Sequence, residues 1–157
     1  MFLGQESTPK KALMQVPGAV LRMPVEVFRR YVVDVPESRL QHLLQRHTHV
    51  LMVQMAQGQG VACDWLHSVE QHAARGLLTT RDRVGEPPYP LTQEFLAMLP
   101  GVRRACVSEV AAGLLEEGLI GYTRGIITNL DPSGLEARTY ICYRIIRDEF
   151  DRMLSSF

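Results

Sequence analysis

Apolar positions change their period several times along the chain, and each change predicts an element. Between residues 36 and 62, Leu40, Leu44, His47, Leu51, Gln54 and Gly58 recur at alternating intervals of four and three. This is a heptad seam with polar interruptions, and it predicts one long helix opened by Pro36-Glu37-Ser38. Leu43, Val50, Val53 and Met55 widen the apolar face beyond a single seam. So long a helix, with little chain to cover both sides, is expected to pack on its own copy. The pattern therefore predicts a parallel two-fold dimer through Leu40, Leu44, His47, Leu51 and Gln54. Gly58 and Gly60 weaken its end, at about 1 kcal/mol each relative to alanine, and place a hinge before Cys63-Asp64.

A second helical period carries Leu66, Val69, Ala73, Leu77 and Leu78 on one face and runs to about Arg83. Asp64 could cap it; so could Ser68 in Ser68-Val69-Glu70-Gln71, a few residues later. The proline-rich stretch 85–90 is expected to be a connector. Thr92 then caps a short helix that Pro100 ends. Residues 92–117 read as two helices meeting at a corner. Ala97 is the small residue that permits close crossing, and Gly101 tolerates the bend. Val107 and Val110 face the first helix, while Arg103, Arg104 and Ser108 project elsewhere.

Gly118 is the expected C-cap of that second helix. Leu119-Ile120-Gly121-Tyr122 and Ile126 to Leu130 flank Thr123-Arg124-Gly125 and predict a β-hairpin with Arg124 at its tip. A helix-turn-helix followed at once by a small hairpin is a winged helix. Its second helix, about residues 103–117, would enter a DNA major groove.

The ends carry weaker patterns. Ala12 to Val16 and Ala19 to Met23 are two candidate strands, and Val25 to Val33 a short amphipathic stretch. Two strands and a turn of helix cannot form a sheet core alone, so residues 1–35 read as the end of a larger domain. Asp131 to Glu136 is expected to turn into a final helix whose apolar positions, Tyr140, Ile141, Tyr143, Ile145, Ile146, Phe150, Met153 and Leu154, pack on the DNA-reading head. Arg147, Asp148, Asp151 and Arg152 would form its solvated face. The fold class is therefore mainly α with a small β element: a long dimerisation helix leading into a winged helix-turn-helix domain.

Formal net charge is zero over 157 residues, so nucleic-acid binding would have to rest on a local basic face. Lysine occurs only at Lys10 and Lys11; the remaining cations are arginine, which suits bidentate contact with guanine or phosphate. Cys63, Cys106 and Cys142 are odd in number and lack a CxxC spacing, which fits a reducing cytoplasm. No signal pattern or membrane-length apolar run is visible. No Walker, GxSxG or HExxH motif supports an enzyme, and no cofactor is implied. Cys63 and His67 share a helical face, with His72 a turn further off the line, so a metal- or redox-gated switch across a dimer is an alternative.

Four segments resemble the Crp/Fnr-type bacterial transcription regulators: HSVEQHAARGLLTTRDRVG, PLTQEFLAMLPGVRRACVS, GLIGYTRGIITNLDPSGLEA and CYRIIRDEFDRML. VPGAVLRMPVEVF is similar to the last strands of that family's cyclic-nucleotide-binding-like β-roll. The resemblance implies residues 1–35 as a remnant of the β-roll, 36–62 as the dimerisation helix and 63–157 as the winged-helix domain. The phosphate cassette of the cyclic-nucleotide pocket is missing, so that ligand does not carry over. Arg104 stands at a family base-reading position, with Ala105 in place of the common acidic residue, and Glu109 where many members have arginine.

The expected function is a cytoplasmic, homodimeric, sequence-specific transcription regulator. Arg103 and Arg104 would contact bases or phosphates with Ser108 and Glu109 beside them, and Thr92, Gln93 and Arg124 would hold the DNA backbone. Double-stranded DNA and a second copy are the expected partners, with RNA polymerase left open and no membrane. The rival is a truncated interaction protein that heterodimerises with a full-length regulator.

Overall fold

The computed structural model describes residues 14, 16–35, 37–58, 68–88, 104–124 and 126–154. These residues form six α-helices, one π-helical turn and one hairpin. α1 (Val25–Phe28) continues into the π-helical turn, Arg29–Val33. α2 spans Arg39–Gly58, α3 Val69–Val84 and α4 Arg104–Glu116. β1 (Ile120–Thr123) and β2 (Ile126–Leu130) pair antiparallel. α5 (Pro132–Ala137) and α6 (Ile141–Leu154) complete the described chain.

Local chemistry sets these boundaries. The Ser38 hydroxyl accepts from the Gln41 amide at 3.1 Å, and Gln41 Oε1 accepts from the Glu37 amide at 2.8 Å, so α2 starts on a reciprocal cap. Of the two caps open to α3, Ser68 is used: its hydroxyl accepts from the Gln71 amide, and the Gln71 side chain accepts from the Ser68 amide. Glu70 in the first turn and Arg81 and Arg83 in the last complement the helix dipole. α4 ends in a Schellman motif: Gly118 adopts φ +70, its amide donates to Leu115 O, and the Leu119 amide donates to Leu114 O.

The core of the head gathers Ala74, Leu77 and Leu78 from α3, Leu114 from α4, Ile127 from β2 and Leu135 from α5, all essentially fully buried. Leu77 and Leu78 follow Ala74 by three and four residues, and Leu114 follows Ala111 and Val110 by three and four, the spacing that puts each set on one face. Gly134 sits tightly in this packing. A Cβ there would lie 2.3 Å from Leu119 Cδ2 and 2.6 Å from Asp131 Oδ2.

Three expectations need correction. The segment Ala19 to Met23 is exposed and belongs to no sheet among the described residues; Leu21 is fully exposed. Prolines at 17 and 24 remove ladder donors from that stretch, and no neighbouring strand is offered among the described residues. Val16, just before it, does pack against the core of the head. The sequence after Asp131 is not a simple turn but a separate helix, α5, because Asp131 accepts from the amides of Ser133 and Gly134 and Pro132 occupies the first turn. Finally, α6 packs along α2 as well as on α3. Arg46 Nη1 donates to Met153 O at 3.4 Å, and His49 Nε2 lies 2.8 Å from Glu149 Oε1.

On the polar face of α6, Asp148, Asp151 and Arg152 are exposed, as the pattern predicts, and Arg147 is half-buried; Ile141 and Ile145, expected to pack, are exposed instead. Arg147 lies over the Tyr143 ring at 5.3 Å and 3.3 Å from Glu136 Oε2, and Arg152 pairs with Glu149 at 2.6 Å. Arg152 first, and His49 second, hold the Glu149 carboxyl below its ordinary range.

Candidate nucleic-acid interface

α4 has an inner and an outer face. Leu114 is buried and Val110 and Ala111 pack against the core, which fixes the helix rotation. Ser108, Glu109, Ala112 and Glu116 are turned outward, all of them exposed. Ser108 and Glu109 make no hydrogen bond or ion pair among the described residues. The described part of this outer face thus carries carboxylates and no cation. Arg104 is the first residue of α4, but its side chain, like those of residues 105–107, lies outside what is described. Thr92, Gln93 and Arg103 also fall outside the described residues, as do Ala97 and Gly101 of the expected corner.

The hairpin places its cation well. Thr123 pairs with Ile126, leaving a two-residue turn in which Arg124 takes φ +50. A left-handed first turn residue suits the tight hairpins whose twist matches that of the strands. β2 carries one extra residue: Gly121 faces Asn129 while Tyr122 faces Ile127. The bulge adds twist to the ribbon. Arg124 is exposed at its tip and has no polar partner among the described residues. A guanidinium held clear of carboxylates can meet a phosphate without first breaking an ion pair.

α2 also has two faces. Arg46, His49, Val50 and Val53 follow the i, i+3, i+4, i+7 pattern; Arg46 and His49 reach α6, and Val50 is 1% exposed. Leu40, Leu44, His47 and Leu51 lie roughly two-fifths of a turn away on the helix. Leu40 and Leu44 are half-buried, His47 is exposed, and Leu51 is 40% exposed. Met52 and Met55 are exposed beside them. Gln54 sits at the boundary between the two faces, and Arg83 of α3 donates to its Oε1. Its amide is therefore engaged within the chain.

Several structural contacts escaped sequence reasoning. Arg138, at the end of α5, holds Glu70 of α3 with Nη1 at 2.6 Å and reaches Glu117 beyond α4 with Nη2. The Glu117 hydrogen bond first, then the two negative charges, raise the Arg138 pKa above its ordinary value. His72 and Arg75 are buried on α3, with Arg75 Nη2 3.4 Å from His72 Nδ1. Cys142 is buried as a small core residue. Cys63 and His67 lie outside the described residues, and no cluster of three metal-binding side chains occurs among the described ones. No helix described is long and apolar enough to cross a membrane.

The comparisons with known proteins point to the same region. Residues 63–138 match the family model of the Crp-like helix-turn-helix domain. No curated protein and no solved structure matches the chain. The matched span runs from before α3 to the end of α5, so it encloses the outward face of α4 and the Arg124 turn. The two-stranded wing and the helices that support it form the expected α+β architecture. Residues 63–138 thus match the Crp-like helix-turn-helix domain, and this match supports a helix-turn-helix regulator of the Crp/Fnr type.

Proposed function

We propose that this chain is a sequence-specific transcription regulator that binds duplex DNA as a homodimer. The Crp-like helix-turn-helix match carries the reading. The outward face of α4 and Arg124, without a polar partner among the described residues, support it. α4 enters the major groove, with Arg103 and Arg104 at its leading end and Ser108 and Glu109 along its outer face. Thr92 and Gln93 hold one stretch of backbone while Arg124 meets a phosphate on the flank.

The second copy docks on α2 through Leu40, Leu44, His47 and Leu51. Leu51, Met52 and Met55 leave apolar surface beside that line, which a partner helix would cover. Gln54 takes a lesser part, since Arg83 already occupies it. Two α4 helices related by the dyad then meet successive major grooves about 34 Å apart on a near-palindromic site. Such an assembly acts in the cytoplasm, where it would meet RNA polymerase on the same DNA.

A mobility-shift titration of the purified chain against randomised duplex, with its mass measured by sedimentation, tests this. A dimer giving a discrete complex enriched for a two-fold sequence is expected. A chain that dimerises yet retains no duplex would instead favour a partner-poisoning role.

A further inference from the structure

We infer that Glu109 makes each half-site selective for cytosine at one position. The inference rests on reading α4 as the recognition helix. Its starting point is the geometry of α4: Val110, Ala111 and Leu114 lock the inner face into the core, which turns Glu109 away from it. The carboxylate is exposed and has no hydrogen-bond or ion-pair partner among the described residues. Glu109 is the sixth residue of α4, within the N-terminal part of a recognition helix that meets base edges.

A carboxylate on this face can only accept hydrogen bonds, and phosphates repel it. In the major groove two bases offer amino donors: adenine at N6 and cytosine at N4. Adenine sets the N7 acceptor beside its donor, so a carboxylate oxygen pairing with N6 also confronts a lone pair. Cytosine presents the N4 donor without an acceptor on that edge. Guanine and thymine offer acceptors alone, against which Glu109 would be left charged and unpaired. The carboxylate therefore works by attraction to one base and by rejection of the others.

Selection from a randomised duplex pool with the full chain tests the assignment, comparing the natural protein with Glu109→Ala and Glu109→Gln. The natural protein should yield one cytosine column in each half-site, preferred in competition by roughly 10- to 100-fold. Glu109→Ala should flatten that column alone while binding unrelated duplex more tightly, because a repelled charge has gone. Glu109→Gln should admit adenine at the same column, since an amide can both donate to N7 and accept from N6. Residue 109 is exposed, and equal thermal midpoints for the three proteins confirm that folding is unchanged. A selected motif identical in the natural protein and Glu109→Ala overturns the assignment while leaving DNA binding intact. A dimer that selects no sequence overturns both together.

Discussion

The Tyr143 hydroxyl on α6 donates to Asp82 Oδ2 on α3 at 2.8 Å. The ring is buried, and Arg147 lies over its face at 5.3 Å. Burial first, then the neighbouring Asp82 carboxylate, push the Tyr143 pKa from an ordinary 10.0 to about 12; Arg147 opposes them. The folded protein thus keeps this proton at a pH where the unfolded chain has released it. Its stabilising contribution is complete below about pH 10 and is lost as pH rises toward 12. Tyr143→Phe should remove this share of the alkaline decline and cost about 0.5–1.5 kcal/mol at neutral pH through the missing hydrogen bond. Denaturant melts of both proteins between pH 8 and 12 provide the check, and parallel curves would contradict the assignment.

At Gly134 two opposing effects can be weighed. Alanine gains up to about 1 kcal/mol of helix propensity over glycine. Its Cβ would also press on Leu119 at 2.3 Å and on the Asp131 carboxylate that caps the same helix. Overpacking of this kind costs about 1–3 kcal/mol. Gly134→Ala should therefore lower stability, and a thermal midpoint at or above that of the natural protein would show that Leu119 moves aside freely.

The two arginines assigned to DNA differ in what they should change. Arg124→Ala removes a wing-tip contact to phosphate, so affinity should fall similarly for every sequence and the slope against log salt should lessen by about one. Arg104→Ala, at the head of α4, should relax sequence preference and cost about 1–3 kcal/mol on the best site. Titrations at several salt concentrations on one selected and one unrelated duplex separate these outcomes. An equal loss on both duplexes for Arg104→Ala would rule out base reading there.

For the dimer, the informative position is Leu51, which is 40% exposed on α2. Leu51→Glu should shift the sedimenting species to the monomer mass while leaving helical content unchanged. Val50, buried on the other face, is the contrasting site: Val50→Ala should destabilise the chain by roughly 0.5–2 kcal/mol without a specific effect on association. Unaltered assembly of Leu51→Glu would exclude this seam as the contact between copies.

Much of the head was legible because short-range chemistry specifies it. Ser68 and Gln71 spell a capping box, Gly118 closes α4, and the Thr123-Arg124-Gly125 run supplies the hairpin tip. Each needs only neighbours along the chain. Arg138 is different, since its carboxylates at Glu70 and Glu117 are brought to it only by the packing of α3, α4 and α5. Periodicity alone likewise could not tell that Val50, and not Leu51, is the residue buried within the chain. The candidate strand Ala19 to Met23 had the right composition but lacks a paired neighbour among the described residues. Of the residues assigned to DNA, Ser108, Glu109 and Arg124 stand on the surface with their side chains described, and Arg104 is placed only through its backbone.

Because α6 lies against both α2 and α3, it is a strut between the helix proposed for association and the domain that holds α4. In the proposed dimer, the tilt of each head about the dyad would follow the girth of the side chains along that strut. In that dimer, trimming Phe150 or Ile146 should change the pitch at which the two α4 helices meet the duplex. Preferred spacing between half-sites thus becomes a property of α6 as much as of the reading surface.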